Sequence, residues 1–288
     1  MRVKSMLVLL SGQESDKATL DTAFRSARLS GAHLHCLHPL PDSLQSLPPL
    51  EIAGAGIERI IRQTRQQIDA RTDAARSAYD AALTAYGPLE RATPSAVEGE
   101  ETAVSASFEA LTPENGEYVA ERARIHDIAV VSVDARTGDT DGMLENVLFE
   151  SGRPVLVAPA QPSALIGSHV AIAWNRGALA ARAVAAAMPL LETAAGVTVI
   201  HIETGARRGP GPTELVQHLA WHGIDAGART IDPDGGNVGK LLLREAVNCD
   251  ADLLVMGAYS HSRLREMVLG GVTKYVLAHA ELPILMCH

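Results

Sequence analysis

Residues 257–273 carry the groups best suited to holding an anion. They read Gly257-Ala258-Tyr259-Ser260-His261-Ser262-Arg263, continuing to Leu269-Gly270-Gly271-Val272-Thr273. The run follows an apolar strand-like stretch ending at Met256 and leads into a helix-period stretch. Gly270 and Gly271 would let backbone amides approach a ligand closely, and Val272-Thr273 opens the helix with a hydroxyl on offer. Free N–H groups and the positive end of a helix would then face a phosphate together. Spacing alone fits equally well a glycine-rich turn that only connects two elements. His261, beside Ser260, could touch a ribose or phosphate or simply lie on the surface.

The other reactive side chains form no comparable constellation. His33, His35 and His38 sit on one strand, the first two on a shared face, but no Cys or carboxylate at a clear spacing completes a metal set. His218 and His222 lie four apart on a helix without a third ligand. Asp134, Asp139 and Asp141 miss the spacing of a calcium loop and read as a solvated turn. Ser11-Gly12 and Ser151-Gly152 lack the flanking glycines of a nucleophile elbow. The loop at 257–273 has neither a Walker-type lysine nor a positioned base, which weighs against nucleotide hydrolysis.

Composition narrows the classes. The chain has 288 residues, 47% hydrophobic and 20% charged, enough for two domains with buried cores. Aromatics are only 3%, so Ala, Val, Leu and Ile must build the core, as suits parallel strands beneath helices. A formal charge of −9 argues against nucleic acid as the main partner. The basic clusters Arg207-Arg208 and Arg263–Arg265 read as solvated surface. Cys36, Cys249 and Cys287 are scattered and are expected to be reduced thiols of a cytoplasmic protein. No stretch approaches the roughly 18 apolar residues of a membrane helix, so no membrane partner is expected.

Short apolar runs alternate with helical periods along the chain, the signature of βαβ units. In the first half, strands are predicted at Met6–Leu10, Leu34–Leu37, Ser105–Leu111, Ile128–Ser132 and Val155–Ala158. Helices are predicted at Lys17–Leu29, Ile57–Tyr86 and Asn115–Arg124. After a linker at Ala160–Ser163, strands follow at Val170–Trp174, Val197–Ile202, Ala228–Ile231, Leu253–Met256 and Ile284–Cys287. Helices there span Ala178–Leu191, Thr213–Trp221, Val238–Val247 and Leu264–Ala280. The halves repeat each other: His126–Val131 parallels Ala251–Met256, Arg153–Val157 parallels Leu282–Met286, and His38 corresponds to His201. The offset is 163 residues at the histidines and 129 at the prolines, because the first half has the longer helix after its second strand. Two α/β domains are expected, at residues 1–160 and 166–288, each with five parallel strands and helices on both faces. Open α/β sheets bind ligands at the carboxyl edge of the strands.

The run from Asp252 to His288 resembles the universal stress protein family, and Val170–Asn175, Val197–Ile202 and the repeat extend the resemblance along the chain. The resemblance implies a tandem, Rossmann-like pair of adenine-nucleotide α-hydrolase-like domains joined through their final strands about a pseudo-two-fold axis. It also allows a homodimer of the tandem chain. The family's nucleotide loop has Gly, two residues, Gly, nine residues, Gly, then Ser or Thr. Here Gly257 and Gly270 match, while Ser260 and Gly271 depart. The resemblance places an ATP or related adenine-nucleotide ligand, with or without Mg²⁺, among Asn175, Ile202, Gly257, Ser260, Gly270, Gly271, Val272 and Thr273, with Met256 and His261 beside them. Trp174, ending a strand beside that pocket, fits equally a side chain lying against a bound base and one covering the sheet end as ordinary packing. Asn175 stands where ATP-binding members carry Asp, keeping hydrogen-bonding capacity without the charge. Losing the hydroxyl at Gly271 removes a phosphate contact of about 1.5–3 kcal/mol. The corresponding loop of the first half lacks the glycine spacing and carries three aspartates, so that half is expected to be structural. The implied function is a stress-response protein that senses a nucleotide weakly and acts through protein partners. The alternatives are an interaction module with vestigial sites and a slow nucleotide hydrolase.

Overall fold

The computed structural model describes residues 2–40, 55–93, 103–111, 118–133, 142–205, 209–233, 235–258 and 271–288. The first half contains strands β1 (Ser5–Leu9), β2 (His33–Pro39), β3 (Leu89–Glu90), β4 (Ser105–Leu111), β5 (Ile128–Ser132) and β6 (Val155–Ala158). Its helices are α1 (Asp16–Arg28), α2 (Ala55–Tyr86), α3 (Tyr118–Ala123) and α4 (Met143–Glu150). The second half contains β7 (His169–Ala173), β8 (Gly196–Ile202), β9 (Ala226–Ile231), β10 (Leu253–Gly257) and β11 (Ile284–Cys287). Its helices are α5 (Ala178–Leu191), α6 (Pro212–Ala220), α7 (Val238–Asn248) and α8 (Gly271–His279).

All the strands lie in one sheet, ordered β3-β4-β2-β1-β5-β6-β11-β10-β7-β8-β9. Pairing is parallel within each half. The halves join antiparallel, with Ile284 opposite Val157, Leu285 opposite Leu156 and Met286 opposite Val155. The two final strands thus make the junction that the resemblance implies. Strand alternation sends Met6, Val8 and Ile172 to a core beneath α1, α2, α5 and α6. Leu7, Leu9 and Ala171 go to a second core beneath α3, α4, α7 and α8. Because both faces are covered, the central strands read as continuous apolar runs, such as Ile-Ala-Val-Val at 128–131.

Three details differ from the sequence reading. The first half gains β3, a two-residue edge strand whose exposed side chains give no apolar alternation to detect. Helix α4 was not anticipated, being only eight residues long beside the Asp-rich stretch. The predicted helices at 115–124 and 264–280 lie partly outside the described residues. Within them, α3 spans Tyr118–Ala123 and α8 spans Gly271–His279.

The repeat extends to individual hydrogen bonds. Asp127 Oδ2 accepts from the amides of Lys4 at 2.7 Å and Ser5 at 3.0 Å, fastening the start of β1. Asp252 accepts from the amides of Ser168 at 3.0 Å and His169 at 3.1 Å at the start of β7. His38 Nδ1 donates to the Leu10 carbonyl at 2.8 Å, and His201 Nδ1 donates to the Trp174 carbonyl at 2.7 Å. A carbonyl only accepts, so each ring carries its proton on Nδ1. Each imidazole therefore ties the end of a second strand to the end of a first strand. Arg25 Nη1 also donates to the Ala164 carbonyl at 2.7 Å, holding the linker against α1.

Candidate functional site

The sheet order reverses between β1 and β5 in the first half and between β7 and β10 in the second, which makes the gap beyond their carboxyl ends the natural ligand position. In the second half those strands are β7 and β10. Beyond β7 the chain turns at Asn175-Arg176-Gly177. Arg176 has φ 61°, a left-handed conformation that a long side chain adopts at some cost. Asn175 Oδ1 accepts from the Gly177 amide at 3.0 Å, closing the turn. Arg176 Nη2 donates to Glu203 Oε2 at 3.0 Å, linking the ends of β7 and β8. The Glu203 carboxyl is held below its usual range, chiefly by the Gly205 amide, which donates to Oε1 at 3.1 Å.

The end of β10 lies against the start of α5. A Cβ at Gly257 would fall 2.6 Å from the Ala180 nitrogen and the Leu179 carbonyl carbon. Glycine is therefore required here by helix–strand packing, whatever the ligand. Ala258 is buried, and its amide donates to the Cys287 carbonyl at 2.8 Å. Across the sheet edge, Gly271 starts α8, where a Cβ would meet no atom of the described residues within 4 Å, and Thr273 is buried. Ser260, His261 and Gly270 lie outside the described residues.

Asn175, Ile202, Met256 and Gly257 thus share the carboxyl edge, with Ile202 and Val272 packed on the α7–α8 face. Trp174 goes the other way. It is 6% exposed in the core with Val184 and Leu215, and its Nε1 donates to the Pro210 carbonyl at 2.9 Å. Its ring is part of the α5–α6 packing. The ion pair Arg176–Glu203 was not singled out from the sequence, because nothing local marks an arginine for a left-handed turn.

The equivalent edge of the first half is filled by its own side chains. Asp16, 1% exposed, accepts from the Ser11 amide at 2.8 Å, the Ser11 hydroxyl at 3.0 Å and the Gly12 amide at 2.8 Å. Burial raises the Asp16 pKa, and these hydrogen bonds oppose the rise. Gly12 has φ 72°, and a Cβ there would overlap the Arg71 carbonyl of α2. The long helix of the first half therefore lies directly on its β1–α1 turn. Residues 134–141 of the matching loop lie outside the described residues.

Among the described residues, no group of three His, Cys, Asp or Glu side chains could hold a metal ion. His218 and His222 meet edge to face with ring centroids 5.0 Å apart. His33 and His35 are engaged with serines and Glu109. No helix of the described residues is long and apolar enough to cross a membrane.

Residues 225–288 match the model of the universal stress protein family. Over its length the chain is similar to a universal stress protein from Archaeoglobus fulgidus DSM 4304. The two are 14% identical with a TM-score of 0.67, covering 99% of this chain and 96% of that one. A functionally unknown protein from Pseudomonas aeruginosa PAO1 is 15% identical, TM-score 0.53, covering 99% and 92%. The cytoplasmic domain of a prokaryotic cation chloride cotransporter is 11% identical, TM-score 0.50, covering 99% and 95%. No curated protein matches the chain in sequence. Identities this low speak to fold alone, and the family rests on the matched segment. Residues 225–288 are thus similar to the universal stress protein family, and the whole chain shares its fold with the solved universal stress protein from Archaeoglobus fulgidus.

Proposed function

We propose that the chain is a stress-response protein that binds one adenine nucleotide weakly, at the carboxyl edge of β7 and β10, and acts through protein partners. The division into domains at residues 1–160 and 166–288 belongs to this reading. The observation that carries it is the contrast between the two edges. In the first half, Asp16 occupies the turn amides and α2 covers Gly12. In the second half, Asn175 at the matching turn is exposed. The matched family segment also includes the loop after β10. Mg²⁺ would enter with the phosphates, since the described residues supply no metal set of their own.

A second reading, an interaction module with a vestigial site, is favoured by one detail. Asn175 already commits one lone pair of Oδ1 to Gly177, leaving a ligand its amide nitrogen and a single remaining acceptor site. Calorimetric titration of the full chain with Mg-ATP separates the two. One site per chain, with heat detectable below ~1 mM nucleotide, supports the sensor. No heat at that concentration supports the module, and phosphate release during the titration would instead indicate a hydrolase.

A further inference from the structure

The face of the first-half sheet beneath α3 carries a row of polar groups that neither reading uses. His33 Nδ1 lies 2.9 Å from Ser105 Oγ and its Nε2 3.2 Å from Ser107 Oγ. The same Ser107 Oγ is 3.2 Å from His35 Nδ1, and His35 Nε2 is 3.0 Å from Glu109 Oε2. Helix α3 reaches into this row through Arg122, whose Nη2 lies 2.8 Å from Glu109 Oε2 and 2.9 Å from His35 Nε2. His126, just after α3, stacks on His35 with ring centroids 5.6 Å apart, and its Nδ1 lies 2.6 Å from Ser5 Oγ.

These distances set up a competition. Arg122 donates to Glu109 and, at the same time, points an N–H at His35 Nε2, which is satisfied only while that nitrogen is bare. A proton on Nε2 turns it into a second donor aimed at Glu109. It also puts two like charges 2.9 Å apart. With Nε2 bare, neutral His35 carries its proton on Nδ1 and donates to Ser107, whose hydroxyl proton can then go to His33 Nε2.

We propose that His33, His35 and His126 form an acid-operated latch, in which charging His35 takes Glu109 away from Arg122 and frees α3 and strand β4 from the first half. The groups facing the latch are His33 on β2, Glu109 on β4, Arg122 on α3, His126 and Asp127 before β5, and Arg91 beyond β3. Asp127 is already committed to the amides of Lys4 and Ser5. All three imidazoles are held below the usual histidine range, mainly by burial, His126 at about 4. A lowered folded-state pKa means the unfolded chain binds more protons. The stabilisation is therefore complete above the ordinary histidine pKa near 6.5 and is lost as pH falls from there towards 4. The second half has no counterpart, because the repeat places Gly196, Thr198 and Ala251 where His33, His35 and His126 stand. It is a built-in control.

Hydrogen exchange on the full chain at about pH 7.5 and about pH 5, corrected for intrinsic rates, tests this on either side of the histidine range. Peptides from β4 and α3 are expected to lose protection by roughly tenfold or more at the lower pH, while β7, β8 and α5 keep theirs. In His35→Gln, which cannot be charged, that loss should disappear. Unchanged β4 and α3 protection in the wild type, or a full loss retained in the variant, overturns the latch. Should His35→Gln not fold, imidazole titration of the wild type by NMR decides. Midpoints for His35 and His126 at or above 6.5 overturn the proposal, and lower midpoints coinciding with the loss of protection support it.

Discussion

Leu156 and Leu285 lie opposite each other across the antiparallel junction of β6 and β11, and they occupy the same position of the internal repeat. A pair of equivalent residues facing each other marks the place where the pseudo-two-fold axis crosses the sheet. Both are at most 1% exposed. A single chain therefore makes, within itself, a self-complementary contact of the kind two identical subunits make.

Truncating either leucine should open a cavity in the middle of the sheet. Leu285→Ala is expected to cost about 2–5 kcal/mol in urea unfolding, with Leu156→Ala in the same range. Because the pair is in contact, the double variant should depart from additivity by more than ~0.5 kcal/mol. Additive losses would mean that the junction transmits nothing between the halves.

The aspartates that fasten the first strands should behave alike. Asp127→Ala and Asp252→Ala each strand two backbone amides, at a cost of about 1–3 kcal/mol apiece. Thermal melts of the two variants should show similar losses. A loss confined to Asp127→Ala would contradict their equivalence.

Gly257 and Gly271 separate packing from ligand approach. Gly257→Ala drives a Cβ into the backbone of α5 and should destabilise the chain by about 1–3 kcal/mol, with or without nucleotide. Gly271→Ala meets no atom of the described residues and should leave the melting temperature nearly unchanged. Equal stability of the two variants would remove the packing role assigned to Gly257.

Arg176 holds a left-handed turn that glycine adopts freely. Relieving it in Arg176→Gly should gain about 1 kcal/mol, against a partly exposed ion pair with Glu203 worth about 0–1 kcal/mol. Unfolding experiments should find the variant as stable as the wild type or slightly more so. A loss above ~1 kcal/mol would show that the ion pair is stronger than its exposure implies.

Much of this architecture is legible in the sequence because buried parallel strands leave continuous apolar runs. Ser105–Leu111, Ile128–Ser132, Val155–Ala158 and Ile284–Cys287 were read with the bounds the structure has. Elements too short to carry a period, β3 and α4, escaped. At the candidate site, composition located the edge but not the direction of each side chain. Trp174 alternates to the α5–α6 face, away from Ala173, and no local pattern says which face a ligand will use. The closure of the first half depends on Asp16 and on α2 crossing Gly12, a contact between residues 59 positions apart that spacing arguments cannot reach.

The contrast between the two edges is tested most directly by following backbone amide shifts while Mg-ATP is added to the full chain. The amides of Arg176, Gly177, Glu203 and Ala258 are expected to move together and saturate, while those of Ser11 and Gly12 stay fixed. Movement of Ser11 and Gly12, or no movement at the β7–β10 edge, would contradict a single open site in the second half.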